Sequence, residues 1–158
     1  EFEPGDPVPQ DTVNWLRDNA AVSVAGFAKD PSDYYSVMDL LAFPSYREGF
    51  PNVPLEAAVA GIPVVGFAAT GTVDAVLNGQ TGKLVSTGDT AALAEALVEY
   101  LSNDVLRYQH GQAGLRRACE TFRNEAVWDA LYRLYLSMLP EHRRPVFKSD
   151  DSFIKRAA

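Results

Sequence analysis

The sequence predicts an α/β fold, a parallel sheet flanked by helices with a helical C-terminus, and three observations predict it. Short, mostly apolar runs recur along the chain, Leu40-Leu41-Ala42-Phe43, Pro63-Val64-Val65-Gly66-Phe67 and the short Lys83-Leu84-Val85, with helix-forming stretches between them. That alternation is the rhythm of a parallel sheet, whose strands need crossover connections. The β-branched centre of the second run suits a strand covered on both faces. From Asp89 onward the apolar residues fall at helical spacing instead.

Taken in order, residues 1–10 are acidic and proline-rich and read as an extended lead-in. Asp11 or Thr12 is placed to cap a short helix through Asn19, with Val13 and Leu16 inward. Val22-Ser23-Val24-Ala25-Gly26 alternates and ends on glycine, a strand pattern. After the loop from Phe27 to Asp33, Ser32 is a candidate cap for a short helix carrying Tyr34, Tyr35 and Met38. A strand over Leu40–Phe43, a loop and a helix capped by Asn52 lead to the strand over Pro63–Phe67. The turn Ala69-Thr70-Gly71-Thr72, a short helix over Val73–Leu77 and the turn Asn78-Gly79-Gln80-Thr81-Gly82 precede the last strand, Lys83–Val85. Asp89 or Thr90 caps a helix to Leu101 with an apolar face of Leu93, Ala94, Leu97, Val98 and Leu101. Two further helices, over Asp104–Thr121 and Glu125–Leu139, complete the fold. Trp128, Leu131, Tyr132 and Tyr135 read as core or domain-packing residues. One domain over residues 1–139 and a polar tail over 140–158, with Arg143, Arg144, Lys148 and Asp150-Asp151, is the expected organisation.

At 158 residues the chain is long enough for a sizeable core, and 47% hydrophobic residues suit a globular domain. Fourteen basic against 21 acidic residues give a net charge of −7, which disfavours nonspecific attraction to nucleic acid or anionic lipid. The single cysteine, Cys119, forms no internal disulfide and sits in a helical pattern, so a buried or half-buried thiol in a reducing compartment is expected. No apolar run reaches the roughly 18 residues of a membrane span, and no signal-peptide pattern opens the chain. A soluble cytoplasmic protein is the expectation.

The crossing Ser45-Tyr46-Arg47-Glu48-Gly49-Phe50-Pro51-Asn52-Val53-Pro54-Leu55-Glu56 runs from a buried strand into a helix. Gly49 permits a tight or left-handed turn, Pro51 and Pro54 stiffen the loop, and the first helical amides point back at it with the positive end of the dipole. An anion or a ring of sugar hydroxyls is suited to such a place, and Glu48 and Glu56 supply acceptors for paired hydroxyls. The residues alone leave a plainer alternative open, in which Glu48 is a solvated loop acid and Glu56 an acid favoured by the helix dipole.

Pro44-Ser45, then Glu48-Gly49-Phe50-Pro51-Asn52, then Glu56, then Gly61-Ile62-Pro63-Val64-Val65 resembles the core motif of the retaining GT-B glycosyltransferases of glycosyltransferase family 4. Two glutamates separated by seven residues are its hallmark, and Glu48 and Glu56 meet it. The resemblance runs from about Val22 to about Leu139. It implies a partial, Rossmann-like C-terminal domain of a GT-B fold. It further implies transfer of a sugar from a nucleotide-sugar donor to a hydroxyl acceptor, a glycan, polysaccharide or lipid-linked molecule, with retention. Glu56 would bind the ribose hydroxyls, and Glu48 with the backbone of Gly49, Phe50, Pro51 and Asn52 would face the donor sugar. In the turn after the second of the three apolar runs the family carries two glycines and a glutamate. Thr70 and Asp74 depart from that pattern, which weakens the expectation of backbone contacts to ligand there.

No His-Glu-x-x-His, P-loop, G-x-G-x-x-G or cysteine pair occurs, and His110 and His142 read as structural or solvated. The aspartate pair of metal-dependent sugar transferases is absent too. The resemblance requires neither metal nor cofactor, because helix N-termini and basic side chains stabilise the leaving diphosphate. It also implies an N-terminal acceptor domain, two further strands and a diphosphate-gripping Arg/Lys pair upstream of Glu1, so the chain reads as a piece of a longer, in isolation inactive, enzyme. Any peripheral membrane contact then falls to the missing domain. Two alternatives stay open: a non-catalytic nucleotide-sugar-binding module needing a partner chain, and a GT-B nucleotide-sugar epimerase.

Overall fold

The computed structural model describes residues 8–143. The chain forms two compact units, Glu1–Asp33 and Tyr34–Ala158. The predicted tail residues Arg144, Lys148, Asp150 and Asp151 lie outside the described residues, as does most of the acidic lead-in.

In the first unit a helix, α1, runs over Gln10–Asp18. It starts at Pro9, which offers no capping side chain, so the expected cap at Asp11 or Thr12 is not formed. Instead Asp11 in the first turn and Arg17 in the last complement the dipole. Asn19 then closes a turn through its own side chain, accepting from the Ala21 amide at 3.0 Å. The strand expected over Val22–Gly26 is absent: these residues have no ladder partner among the described residues, Val24 is 60% exposed and Phe27 97%. Alternation provides a face to bury, but a strand also needs a neighbour to receive its N–H and C=O groups. Ser32, expected as a cap, is the first residue of the short helix α2, Ser32–Tyr35, and its amide donates to Asp30 Oδ1 at 3.0 Å.

The second unit holds a parallel sheet of β1 (Leu41–Phe43), β2 (Val64–Phe67) and β3 (Gly82–Val85), adjacent in chain order. Leu41 lies opposite Val64, and Val64 opposite Gly82. All four residues of β2 are buried, as its apolar run requires. Successive side chains of β2 serve opposite faces. Val64 packs with Ala57, Ile62, Ala75 and Val76, while Val65 and Phe67 pack with Leu93, Ala96 and Tyr100.

On the first face lie α3 (Asn52–Val59) and α4 (Thr72–Ala75); on the second lies α5 (Thr90–Leu101). The end of α3 is a Schellman motif. The Gly61 amide donates to Ala58 O and the Ile62 amide to Ala57 O, both at 2.9 Å, with Gly61 at φ 77°. Asp89 caps α5, accepting from the Ala92 amide at 2.9 Å. The buried face of α5 is Leu93, Ala96 and Tyr100, whereas Ala94, Val98 and Leu101, expected inside, are exposed. Tyr100 can enter the core because its hydroxyl finds a partner, His110 Nδ1, at 2.7 Å.

Asn103 caps α6 (Asp104–Thr121), accepting from the Leu106 amide at 3.0 Å. Its small residues face α3: a Cβ at Gly111 would lie 2.0 Å from Gly61 O, and one at Gly114 would touch Ala58 Cβ at 3.5 Å. Cys119, expected at least half-buried, is exposed. The last helix, α7 (Asn124–Met138), leads to a 3-10 turn at Glu141–Arg143. Trp128, Leu131 and Tyr135 are 50%, 44% and 58% exposed, so they are not core residues. Among the described residues no helix is long and apolar enough to cross a membrane.

The Tyr100–His110 pair gives stability a pH dependence. Burial holds the His110 imidazole below its ordinary value, and Glu99 opposes this more weakly. The folded state therefore binds fewer protons than the unfolded one, so stability is full above about 6.5 and falls as pH drops from there through the lower folded value. The urea midpoint should decrease between pH 7.5 and pH 5, and His110→Gln should flatten that slope. A slope left intact by the substitution would assign it to other groups.

Candidate functional site

β1 delivers the chain to the C-terminal edge of the sheet, the side on which open parallel sheets place ligands. From there a loop over residues 44–51 turns into α3 at Asn52. A second loop, residues 68–71, leaves the same edge of β2 and enters α4. The two loops touch through backbone. A Cβ at Gly71, where φ is +79°, would lie 2.0 Å from Gly49 O and 3.1 Å from Glu48 O. Gly49 itself has no positive φ, and a Cβ there would meet nothing within 4 Å. The left-handed turn expected at Gly49 is thus not made, and the glycine requirement falls on Gly71, whose lack of a side chain lets the loop carbonyls approach.

Each glutamate is held by a hydroxyl. Ser45 Oγ donates to Glu48 Oε1 at 2.6 Å in a half-buried position. Tyr35 Oη donates to Glu56 Oε2 at 2.9 Å. Glu56 is the fifth residue of α3, which carries no acid in its first turn, so the reading of Glu56 as a first-turn acid favoured by the dipole does not hold. Desolvation, and then the bond and the charge of Glu56, push the Tyr35 hydroxyl up to about 12, so it stays a donor at neutral pH.

The rest of the loop is positioned by packing. Pro51 is buried and stands at the N-cap, while Asn52 is the exposed first residue of α3, so the expected Asn52 cap is not formed. Pro51 has no side-chain acceptor, which leaves the amides of Asn52 and Val53 directed at the loop uncapped by it. The Phe50 ring lies 5.3 Å from that of Phe122, tilted by 51°. Arg117 covers Phe122 at 4.6 Å and donates to the last carbonyls of α4, Ala75 O and Asp74 O, both at 2.6 Å. Burial lowers the Arg117 guanidinium from its ordinary value and Asp74 opposes that. Tyr46 stands edge-on to Phe67 at 5.3 Å.

The structure thus places Glu48, Gly49, Phe50 and Pro51 on one loop at the sheet edge, and Asn52 and Glu56 on the helix that follows. Tyr35, Arg117 and Phe122, which sequence reasoning did not single out for the site, secure them. Their partners in the loop, in α3 and in α4 stand 21 residues away or more, and no local motif announces such pairs.

The sequence model of a family described as glycosyl transferases group 1 matches residues 5–103. The capsular polysaccharide biosynthesis glycosyltransferase CapM of Staphylococcus aureus is 35% identical over 127 residues, 80% of this chain and 33% of that protein. The D-inositol 3-phosphate glycosyltransferase of Streptomyces avermitilis is 35% identical over 115 residues, 73% of this chain and 25% of that protein. Among solved structures, Anabaena HepE in complex with UDP-glucose superimposes with a TM-score of 0.72 at 25% identity, over 82% of this chain and 35% of that one. The chain therefore spans about a quarter to a third of the length of these relatives. Its sheet and flanking helices are the later part of the Rossmann-like C-terminal domain of a GT-B fold, and the chain belongs to the glycosyl transferases group 1 family.

Proposed function

We propose that the polypeptide containing this chain transfers a sugar from a nucleotide-sugar donor to a hydroxyl of a glycan, polysaccharide or lipid-linked acceptor, with the anomeric configuration kept. The observation that carries this reading is the pair of carboxylates at the ligand-binding edge of the sheet, each with one oxygen fixed by a hydroxyl, Ser45 on Glu48 and Tyr35 on Glu56. Fixed acceptors are what paired sugar hydroxyls need, because a carboxylate that is already oriented loses less entropy on binding. Glu56 takes the ribose. Glu48, with Gly49, Phe50, Pro51 and Asn52, faces the donor sugar. UDP-glucose bound by HepE supports a nucleotide-sugar donor, and the capsular polysaccharide and the D-inositol 3-phosphate in the relatives' names support hydroxyl acceptors.

The reaction in this reading calls on no metal or cofactor. The leaving diphosphate is met by helix amides and by basic side chains of the rest of the polypeptide, and the acceptor domain is supplied by the same rest. A cytoplasmic location belongs to the proposal, supported by the single, exposed thiol.

Glu56→Ala in the complete polypeptide should raise the donor KM by the equivalent of about 1–3 kcal/mol, since ribose hydroxyls lose a charged acceptor, and leave kcat close to wild type. Initial-rate kinetics over a donor series would measure it. An unchanged KM would reduce Glu56 to a surface acid and remove the support for the donor site.

A further inference from the structure

We infer that Tyr35 is a positioning residue of the donor site, fixing through its hydroxyl the orientation in which Glu56 meets the ribose. The inference rests on the ribose-binding reading of Glu56. Three observations carry it. The Tyr35 ring packs against the buried cluster that includes Ala57, Ile62 and Val64, so its hydroxyl is anchored by the core instead of by a mobile surface chain. The hydroxyl donates to Glu56 Oε2 at 2.9 Å, and among the described residues no hydrogen bond to Oε1 competes with a ligand hydroxyl there. Glu56 itself is exposed on α3 directly beside buried Ala57. An exposed glutamate otherwise samples many rotamers, and ordering it on binding opposes affinity.

Desolvation and the bond to Glu56 push the Tyr35 hydroxyl up, so it remains the donor of this bond at neutral pH. A purely structural role, tying α2 to α3, would fit the same bond. The two differ in what they predict for ligands that lack ribose hydroxyls.

The test uses the complete polypeptide as wild type, Tyr35→Phe, Glu56→Gln and the double variant. Calorimetric titrations with UDP, GDP and ADP, and with the 2′,3′-dideoxy form of each, provide the readout. For the diphosphate that wild type binds most tightly, Tyr35→Phe should bind roughly 3- to 10-fold more weakly. Its dideoxy form should bind wild type and Tyr35→Phe alike. The double variant should bind no more weakly than Glu56→Gln alone, because Tyr35 acts only through Glu56. Unchanged affinity in Tyr35→Phe, equal weakening toward the dideoxy form, or additive losses in the double variant would each overturn the inference while leaving Glu56 in place. If wild type prefers none of the three diphosphates to its dideoxy form, the ribose role of Glu56 fails first, and the inference fails with it.

Discussion

If the proposed transfer is right, Glu48→Gln in the complete polypeptide should lower turnover by roughly a hundredfold while donor affinity stays nearly unchanged. The substitution keeps the shape of the side chain and an oxygen able to accept from Ser45 Oγ, which lies 2.6 Å from Glu48 Oε1, so the loop has no reason to move. What it removes is the negative charge. A preorganised charge aimed at the developing positive charge near an anomeric carbon acts in the transition state and hardly at all in the ground state. The loss should therefore appear in kcat, with the donor Kd from calorimetry close to wild type. A covalent role for Glu48 would require a second carboxylic acid about 5–5.5 Å away, as in retaining glycosidases. In the proposed reading Glu56 binds the ribose, and its Oε2 is already bonded to Tyr35. A nucleoside diphosphate needs little protonation to leave, and its phosphate can take the acceptor proton on the face it departs from. Turnover within threefold of wild type, a glycosyl-Glu48 adduct by mass spectrometry, or an inverted product by NMR would each refute this assignment.

Gly71→Ala should be the most damaging single methyl in the site. Gly71 has φ 79° and ψ −39°, a backbone conformation that L side chains rarely adopt. The added carbon would also meet Gly49 O at 2.0 Å and Gly49 C at 2.7 Å, atoms of a backbone that cannot swing aside like a side-chain tip. Strain and overpacking together should cost about 2–5 kcal/mol, and relief requires the 48–49 segment or the start of α4 to shift. Both the denaturant midpoint and the donor KM should respond. Gly49→Ala is the matched control: its φ is ordinary and its Cβ meets nothing within 4 Å, so stability should change by less than about 0.5 kcal/mol. Equal behaviour of the two variants would show that the loop contact does not constrain the site.

The three strands of the sheet were legible because each is a short apolar run bounded by turn residues, and their parallel pairing because helical stretches separate them. Val22–Gly26 was misread for a reason that no window of residues contains. Its alternation is real, but pairing depends on a neighbouring backbone. On α5 two overlapping stripes share Leu93, and the sequence favoured the more hydrophobic one through Leu97 and Leu101. Tyr100 took the inner place because His110, ten residues on, satisfies its hydroxyl. The loop at the strand-to-helix crossing was legible from its residues, whereas the glutamate pair stood out only through the resemblance to the family motif. Which glycine the loop depends on was not legible, since the clash that decides it joins Gly71 to a carbonyl 22 positions earlier in the chain. The Asn52 cap was a fair inference from residue type, displaced by one position when buried Pro51 took the N-cap. On α7, Trp128, Leu131 and Tyr135 stay exposed, although their helical spacing read as packing.

The contact between α3 and α6 bears on how donor preference can be altered. Gly111 lets α6 rest on the Gly61 carbonyl, and Gly114 meets Ala58, so no side-chain layer separates the two axes there. Such a backbone-to-backbone seat has no slack: α3 can neither slide nor roll without opening a void on one side and a collision on the other. Glu56 therefore rides on a fixed platform. Laboratory evolution toward a different nucleotide or sugar should accumulate its productive changes on residues 45–53 and around Tyr35, and should leave the α3–α6 seat untouched. A library confined to that seat should yield unfolded variants far more often than variants of altered specificity.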